Sequence, residues 1–371
     1  MAFTACTTTN MPGSRRKKMN FPLLVFSAPS LVYGTPYNLY SAPCVVYSAP
    51  NPVYSAPNPV YSAPNPVYSV PCIVYSASSL VQDFAAPFRM ENNTELSDIA
   101  QILWDNDVNR LQPGIDYKIN LQAAEQALTN TDIPDGAGLP LFLFVNEDVF
   151  KRKTFSAFIS LLDNYEADTR EPEVIIPEEE VEIRSFLDAV METPVLQIAH
   201  RYLIKKRTVK VNKEEFKQQL YDIWFCLYAR KGSSLPDSSG FEHVFVSETR
   251  GGRTVIGFHN WIQFYLQEKL GHVVYKGYTV KNNRLKLDEN KHLITLHFSW
   301  KKGVKMRGSC FMAVSPEFEF ALYIIIFLSS SSQPHKLRFS QYEVEIVCHR
   351  NKYKNTETIY PILLQYLPEA S

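Results

Sequence analysis

Gly240-Phe-Glu-His-Val-Phe-Val-Ser-Glu248 runs through the polar turn Thr249-Arg-Gly-Gly-Arg-Thr254 into Val255-Ile-Gly-Phe-His-Asn-Trp-Ile-Gln-Phe-Tyr-Leu-Gln-Glu268. Each half delivers one histidine, His243 or His259, shortly after a glycine and a phenylalanine. A glycine beside a functional side chain lets the backbone turn sharply and leaves space for a ligand. Two imidazoles delivered in parallel fashion read as a pair, and paired imidazoles suit proton transfer near neutral pH.

On the C-terminal side of this stretch the pattern is strand-rich. Residues 272–280 and 293–300 alternate as strands, 260–270 and 317–328 have helical length, 339–349 alternates again, and 359–367 closes the fold. On the N-terminal side helices dominate. Leu96, Ile99, Ile102 and Leu103 fall at helical spacing behind a cap at Thr94 or Ser97. Residues 122–128 continue the helical character, and 139–145 is apolar enough for a buried segment. Further apolar faces recur over 154–165, 178–191 and 214–228, and Pro194 opens another helix. The fold class predicted is α+β, with a mostly helical lobe over 90–232 and an antiparallel-sheet catalytic lobe over 233–371.

Before residue 90 the composition is different. From Tyr33 to Tyr75 a tyrosine recurs every seven residues, and the central unit reads Tyr-Ser-Ala-Pro-Asn-Pro-Val. A heptad can mean a coiled coil, but prolines in every repeat remove the helical hydrogen bonds. Residues 1–89 are therefore predicted to be a disordered, polyproline-II-like low-complexity tail, its plainest reading an expansion without chemistry. An adhesive or partner-binding repeat is the alternative.

The chain has 371 residues, 45% hydrophobic and 13% aromatic, which is ample for a packed core. Its 38 basic and 38 acidic side chains balance, so any polyanion site has to be a local patch. The basic side chains of 201–217, with Lys301, Lys302 and Arg307, are a candidate groove for phosphates or an ordinary solvated face. Six cysteines without Cys-x-x-Cys spacing give neither a disulfide framework nor a zinc site. Cys310 and Cys348 are open to pairing under secretion. Arg15-Arg-Lys-Lys18 precedes an apolar run as in a signal peptide, but the run is short and holds Pro22 and Pro29. The compartment, cytoplasmic or secreted, stays open, and the Asn92-Asn-Thr94 sequon matters only in the second case. No segment reaches the ~20 apolar residues of a membrane span.

Six ordered blocks carry a resemblance. They are Ser239-Gly-Phe-Glu-His-Val-Phe-Val-Ser-Glu248, Gly257-Phe-His-Asn-Trp-Ile-Gln-Phe-Tyr265, Tyr275-Lys-Gly-Tyr278, Phe298-Ser-Trp-Lys301, Val304-Lys-Met-Arg-Gly-Ser309 and Val314-Ser-Pro-Glu-Phe-Glu-Phe-Ala-Leu-Tyr323. Together they resemble the EndoU family of uridylate-specific endoribonucleases, over residue 92 to the C-terminus. The resemblance implies that His243, His259 and Lys305 are the catalytic trio. It also implies that Ser309, Thr358 and Tyr360 contact base and sugar, and that Glu242 and Glu248 support the first histidine. Met306 stands where the family often has proline, and Arg307 replaces a small residue. A Mn2+ requirement is implied as well, without assignable ligands. The expected partner is single-stranded uridine-containing RNA and not DNA, and the expected state is a monomer.

Such residue types suit RNA because the 2′-hydroxyl already lies beside the phosphate. One group takes its proton, a second donates one to the departing 5′-oxygen, and a cation stabilises the extra charge on phosphorus. Histidine, with a reference pKa of about 6.5, serves either proton role, and lysine serves the third. The resemblance leans to His259 as base and His243 as acid. The alternative class is an RNA-binding protein with weak or no catalysis on the same scaffold.

Overall fold

The computed structural model describes residues 92–122, 124–125, 138–230, 235–279, 292–329, 334–353, 356–361 and 365–366, so the tyrosine-proline repeats lie outside it. Apolar residues at helical spacing build α1 (Asn92–Asp105), α2 (Lys153–Ile159), α3 (Pro177–Met191), α4 (Pro194–Lys205) and α5 (Lys213–Trp224). Pro177 and Pro194 sit in first turns, where no amide donor is needed, and Thr193 and Asn212 cap the amides that open α4 and α5. α5 stops short of the expected 228 because the Tyr228 backbone turns to Ser238, donating to its carbonyl at 2.9 Å.

Between α1 and α2 lie β1 (Tyr117–Ile119), β2 (Ala124–Glu125) and β3 (Phe142–Val145). The helix expected over 122–128 is not formed in its described part. Gln122 takes a left-handed φ of 55°, and β2 leaves on a sheet edge instead. The segment expected to be buried over 139–145 is only half so: Leu141, Phe142 and Val145 face the core while Leu139, Leu143 and Phe144 are exposed.

After α5 come a single helical turn (Glu242–Val246), β4 (Glu248–Arg250), β5 (Thr254–Ile256) and α6 (Trp261–Lys269). The chain continues through β6 (Val273–Thr279), β7 (Leu293–Trp300), β8 (Gly303–Phe311) and α7 (Pro316–Ser329). β9 (His335–Phe339), β10 (Tyr342–Ile346), β11 (Cys348–Tyr353), β12 (Thr356–Pro361) and β13 (Gln365–Tyr366) complete it. The principal sheet has the order β2-β6-β7-β8-β5-β4. Its β6-β7-β8 centre is antiparallel as expected, whereas β2 joins β6 and β5 joins β8 in parallel. β9, β10 and β13 form a second sheet, and β1-β3 and β11-β12 are separate pairs.

α7 explains how helices and sheet share one core. From Pro316 to Phe327 every residue is buried, and a helix apolar all round has to be covered on all sides. α1, α2 and α4 pack against it. Trp224 of α5 stacks on Phe320 at 4.9 Å between ring centroids, and Phe186 of α3 meets the same ring edge-on at 5.4 Å. Cys310 and Cys348 are both buried and form no disulfide.

Candidate active site

The first histidine is placed by aromatic packing. Phe241 and Phe245, four residues apart, both enter the core, where Phe158 lies 5.7 and 5.5 Å from their rings. The chain makes one wide π turn here, closed by the Ser247 amide on the Glu242 carbonyl at 2.8 Å, because two phenylalanines at i and i+4 need a helical face. Ser247, at φ 101°, then turns the chain abruptly into β4. That turn returns Glu248 to His243, whose Nδ1–H donates to Oε2 at 2.7 Å. That bond sets the orientation of the His243 ring.

The second histidine is tied to the first through the backbone. Gly257 has φ 71°, and a Cβ there would lie 1.8 Å from the His243 carbonyl oxygen. The space this glycine leaves is thus filled by the partner loop and not by a ligand, which corrects the expectation from sequence. Phe258 N–H donates to the His243 carbonyl at 3.2 Å, and His259 N–H to the Val244 carbonyl at 2.9 Å. His259 Nδ1–H donates to the Ser309 carbonyl at 2.8 Å, leaving Nε2 for chemistry. Asn260 accepts from the Ile262 and Gln263 amides as the cap of α6 and donates to Glu319 of α7 at 2.8 Å. The two imidazole rings stand 6.3 Å apart, centroid to centroid, at 52°. Both are buried, each 6% exposed.

Lys305 enters from β8. Between Leu296 and Phe298 the β7–β8 register shifts, so that Met306 and Arg307, the two departures from the family pattern, form a bulge beside the lysine. Gly308 clears its path: a Cβ there would lie 3.2 Å from Lys305 Cγ and 3.0 Å from the Phe298 ring. Burial brings the Lys305 ammonium down to about 8, partly offset by Glu248. Its charge acts on both histidines. His259 is held well below its ordinary value by burial, then by Lys305 and His243. His243 is lowered by burial, while Glu248 pulls the other way and Arg230 and Lys305 add to the lowering.

Arg230 was not singled out from the sequence. Its Nε donates to Glu248 Oε1 at 2.9 Å, its Nη2 pairs with Oε2, and Nη2 lies 3.1 Å from His243 Nδ1. Ser238 donates to the same carboxylate. Burial raises Glu248, but His243, Arg230 and Ser238 outweigh it and keep the carboxylate below its usual range. Only the demand of a fully buried Glu248 for a cation signals Arg230, and that demand is invisible before the fold is known. Glu242, the other expected support, turns to the Ser239 amide at 3.3 Å and is pushed upward by burial and by Glu248 and Glu173.

Ser309 is buried directly behind His259, and its Oγ lies 2.7 Å from Thr295 Oγ1. Thr358 and Tyr360 are on β12, opposite Asn351 and His349 of β11, and that hairpin runs beside the His243 turn and α5. Within the basic stretch Lys206 pairs with Glu95, and Lys217 with Asp188 and Glu214. Arg201 and Lys213 line a small pocket with His200 and Gln197. Among the described residues no three His, Cys, Asp or Glu side chains converge to hold a metal, and no helix is long and apolar enough to cross a membrane.

Comparison with known proteins gives the same frame. The family described as Endoribonuclease XendoU matches residues 95–362. Uridylate-specific endoribonuclease B of Danio rerio is 61% identical over 278 residues, 75% of this chain and 99% of that protein. Poly(U)-specific endoribonuclease-B of Xenopus laevis is 49% identical over 281 residues, 74% of this chain and 96% of that protein. The solved structure of XendoU, described as a splicing independent snoRNA processing endoribonuclease, is 47% identical and superposes with a TM-score of 0.65, covering 74% of this chain and 99% of that one. With that match spanning most of the chain and the two histidines side by side, the protein belongs to the XendoU family of endoribonucleases.

Proposed function

We propose that this protein cuts single-stranded RNA at uridylates by attack of the 2′-hydroxyl on the adjacent phosphate. The products are a 2′,3′-cyclic phosphate and a 5′-hydroxyl. One observation carries the reading: two imidazoles 6.3 Å apart are anchored through Nδ1 to unlike partners, a carbonyl and a carboxylate. The Ser309 carbonyl favours the charged ring, but burial, Lys305 and His243 outweigh it, so His259 stays neutral and takes the 2′-hydroxyl proton at Nε2. Glu248 favours a charged ring, and the anionic phosphate adds to that, so His243 protonates the departing 5′-oxygen from Nε2. The Lys305 ammonium stabilises charge that grows on the phosphoryl oxygens as the fifth bond forms.

Uracil selection belongs to Ser309, whose carbonyl orients the base catalyst and whose hydroxyl meets the uracil edge, with Thr358 and Tyr360 on the adjoining hairpin. A manganese requirement is part of this proposal, but the described residues supply no donor set of the usual oxygen-rich kind. The ion is therefore assigned to the RNA phosphates, and no step is routed through it. Product analysis on an oligonucleotide with one uridine tests the mechanism. A cyclic phosphate on the uridine 3′ side is expected, together with full resistance when that uridine is 2′-deoxy. A 3′-hydroxyl product, or cutting of the deoxy substrate, overturns it.

A further inference from the structure

We propose that Thr295 sets the base selectivity of Ser309 by holding the serine hydroxyl in one orientation; this rests on Ser309 being the base-contacting residue. A serine hydroxyl carries one hydrogen and two lone pairs, and its hydrogen rotates to suit the partner. Uracil presents an N3–H donor on its pairing edge, where cytosine presents a bare N3 acceptor. A freely rotating hydroxyl accepts from the first and donates to the second, so alone it separates the two bases poorly. Discrimination requires that its hydrogen be committed elsewhere.

Thr295 supplies that commitment. It faces Ser309 directly across the β7–β8 ladder, and the two hydroxyl oxygens are 2.7 Å apart. Threonine is stiff at χ1, so its oxygen stays where the strand puts it. The Ser309 carbonyl is held from the other side by His259 Nδ1–H at 2.8 Å, which leaves the residue little freedom to reorient. Either hydroxyl can donate across this contact; with Ser309 as the donor, its hydrogen given to Thr295, the serine offers only lone pairs. These accept the uracil N3–H and oppose the lone pair of cytosine N3. Thr295 is thus a positioning residue that reaches the base only through Ser309.

The test uses the full chain and two DNA oligonucleotides that differ only in one ribouridine or ribocytidine, each giving a single cleavable bond. Thr295→Val, which keeps shape and removes the hydroxyl, is expected to lower the uridine-to-cytidine ratio of kcat/KM about tenfold, mainly by raising cytidine cleavage. Thr295→Ser restores most of the ratio. Ser309→Ala collapses it, and adding Thr295→Val to Ser309→Ala changes it no further. If Ser309→Ala collapses the ratio while Thr295→Val moves both rates in proportion, Thr295 is only structural and the inference fails. If Ser309→Ala leaves the ratio intact, the serine reading falls and takes this inference with it. Thermal melts of each variant exclude loss of fold as the cause, and the threonine-to-serine rescue gives a second check.

Discussion

His259 and His243 differ in what stands behind Nδ1, and that difference sets their pH behaviour. The base has to be neutral, so kcat/KM is expected to fall on the acid side only below the ordinary histidine range, because His259 is held well below it. His243 has to carry its proton and Lys305 its charge. The alkaline fall is therefore set first by His243, itself held below its ordinary value, and a second loss follows as pH rises through about 8, where Lys305 loses its proton. A pH–rate profile with an acid limb near the free-imidazole value would contradict this assignment. His243→Ala and His259→Ala are each expected to slow cleavage about 10³-fold or more, and Lys305→Ala about 10²–10³-fold, in single-turnover assays with the fold intact. Arg230→Gln leaves Glu248 buried without its cation, and it is expected to raise the His243 value and displace the alkaline limb upward. An unchanged profile in that variant would show Arg230 to be structural only. The trio proposed as catalytic could be picked out of the sequence because each member sits in a short ordered block. Arg230 and Thr295 were not, because their roles are set by partners 18 and 14 residues away across a turn and a ladder.

At the scale of elements, β6, β7 and most helices could be read from periodicity, and α7 from its strong apolarity. The π turn that carries His243 was not read from the sequence, because its shape is set by Phe241 and Phe245 meeting on a common face in the core. Gly257→Ala places a methyl on the His243 carbonyl and demands an unfavourable φ; it is expected to cost about 4 kcal/mol or more and to lower activity with it, measured by denaturant unfolding. The start of α7 makes a different forecast. Burial raises Glu319 to about 8, against the bonds from Asn260 and Tyr323, and burial followed by Glu317 raises Asp107 to about 7. A carboxyl raised in the folded state binds its proton more tightly there than in the unfolded chain. Stability from this region is therefore largest at mildly acidic pH and is lost as pH climbs from the unfolded range near 4 through 7–8, by an amount on the order of a few kcal/mol. Glu319→Gln keeps the Asn260 bond and is expected to flatten that decline, as followed by Tm against pH.

For the whole molecule, the match to relatives leaves the tail aside: 278 residues of this chain account for 99% of the zebrafish protein. Removing residues 1–89 is accordingly expected to leave uridine cleavage unchanged, whereas a loss of turnover would give the repeats a part in the reaction. The α+β class was legible because helical and alternating periodicities occupy separate stretches. The parallel edges were not, because β2 and β5 are short and their pairing is decided by distant strands. The carbonyl of His243 resting where Gly257 has no side chain has one further bearing. It makes the two proton carriers a single inherited piece. Descendants of this chain can exchange either ring for an inert side chain at little cost to the frame, but they cannot drift gradually out of register. Silenced copies should therefore retain the scaffold intact and differ by abrupt replacement at 243, 259 or 305.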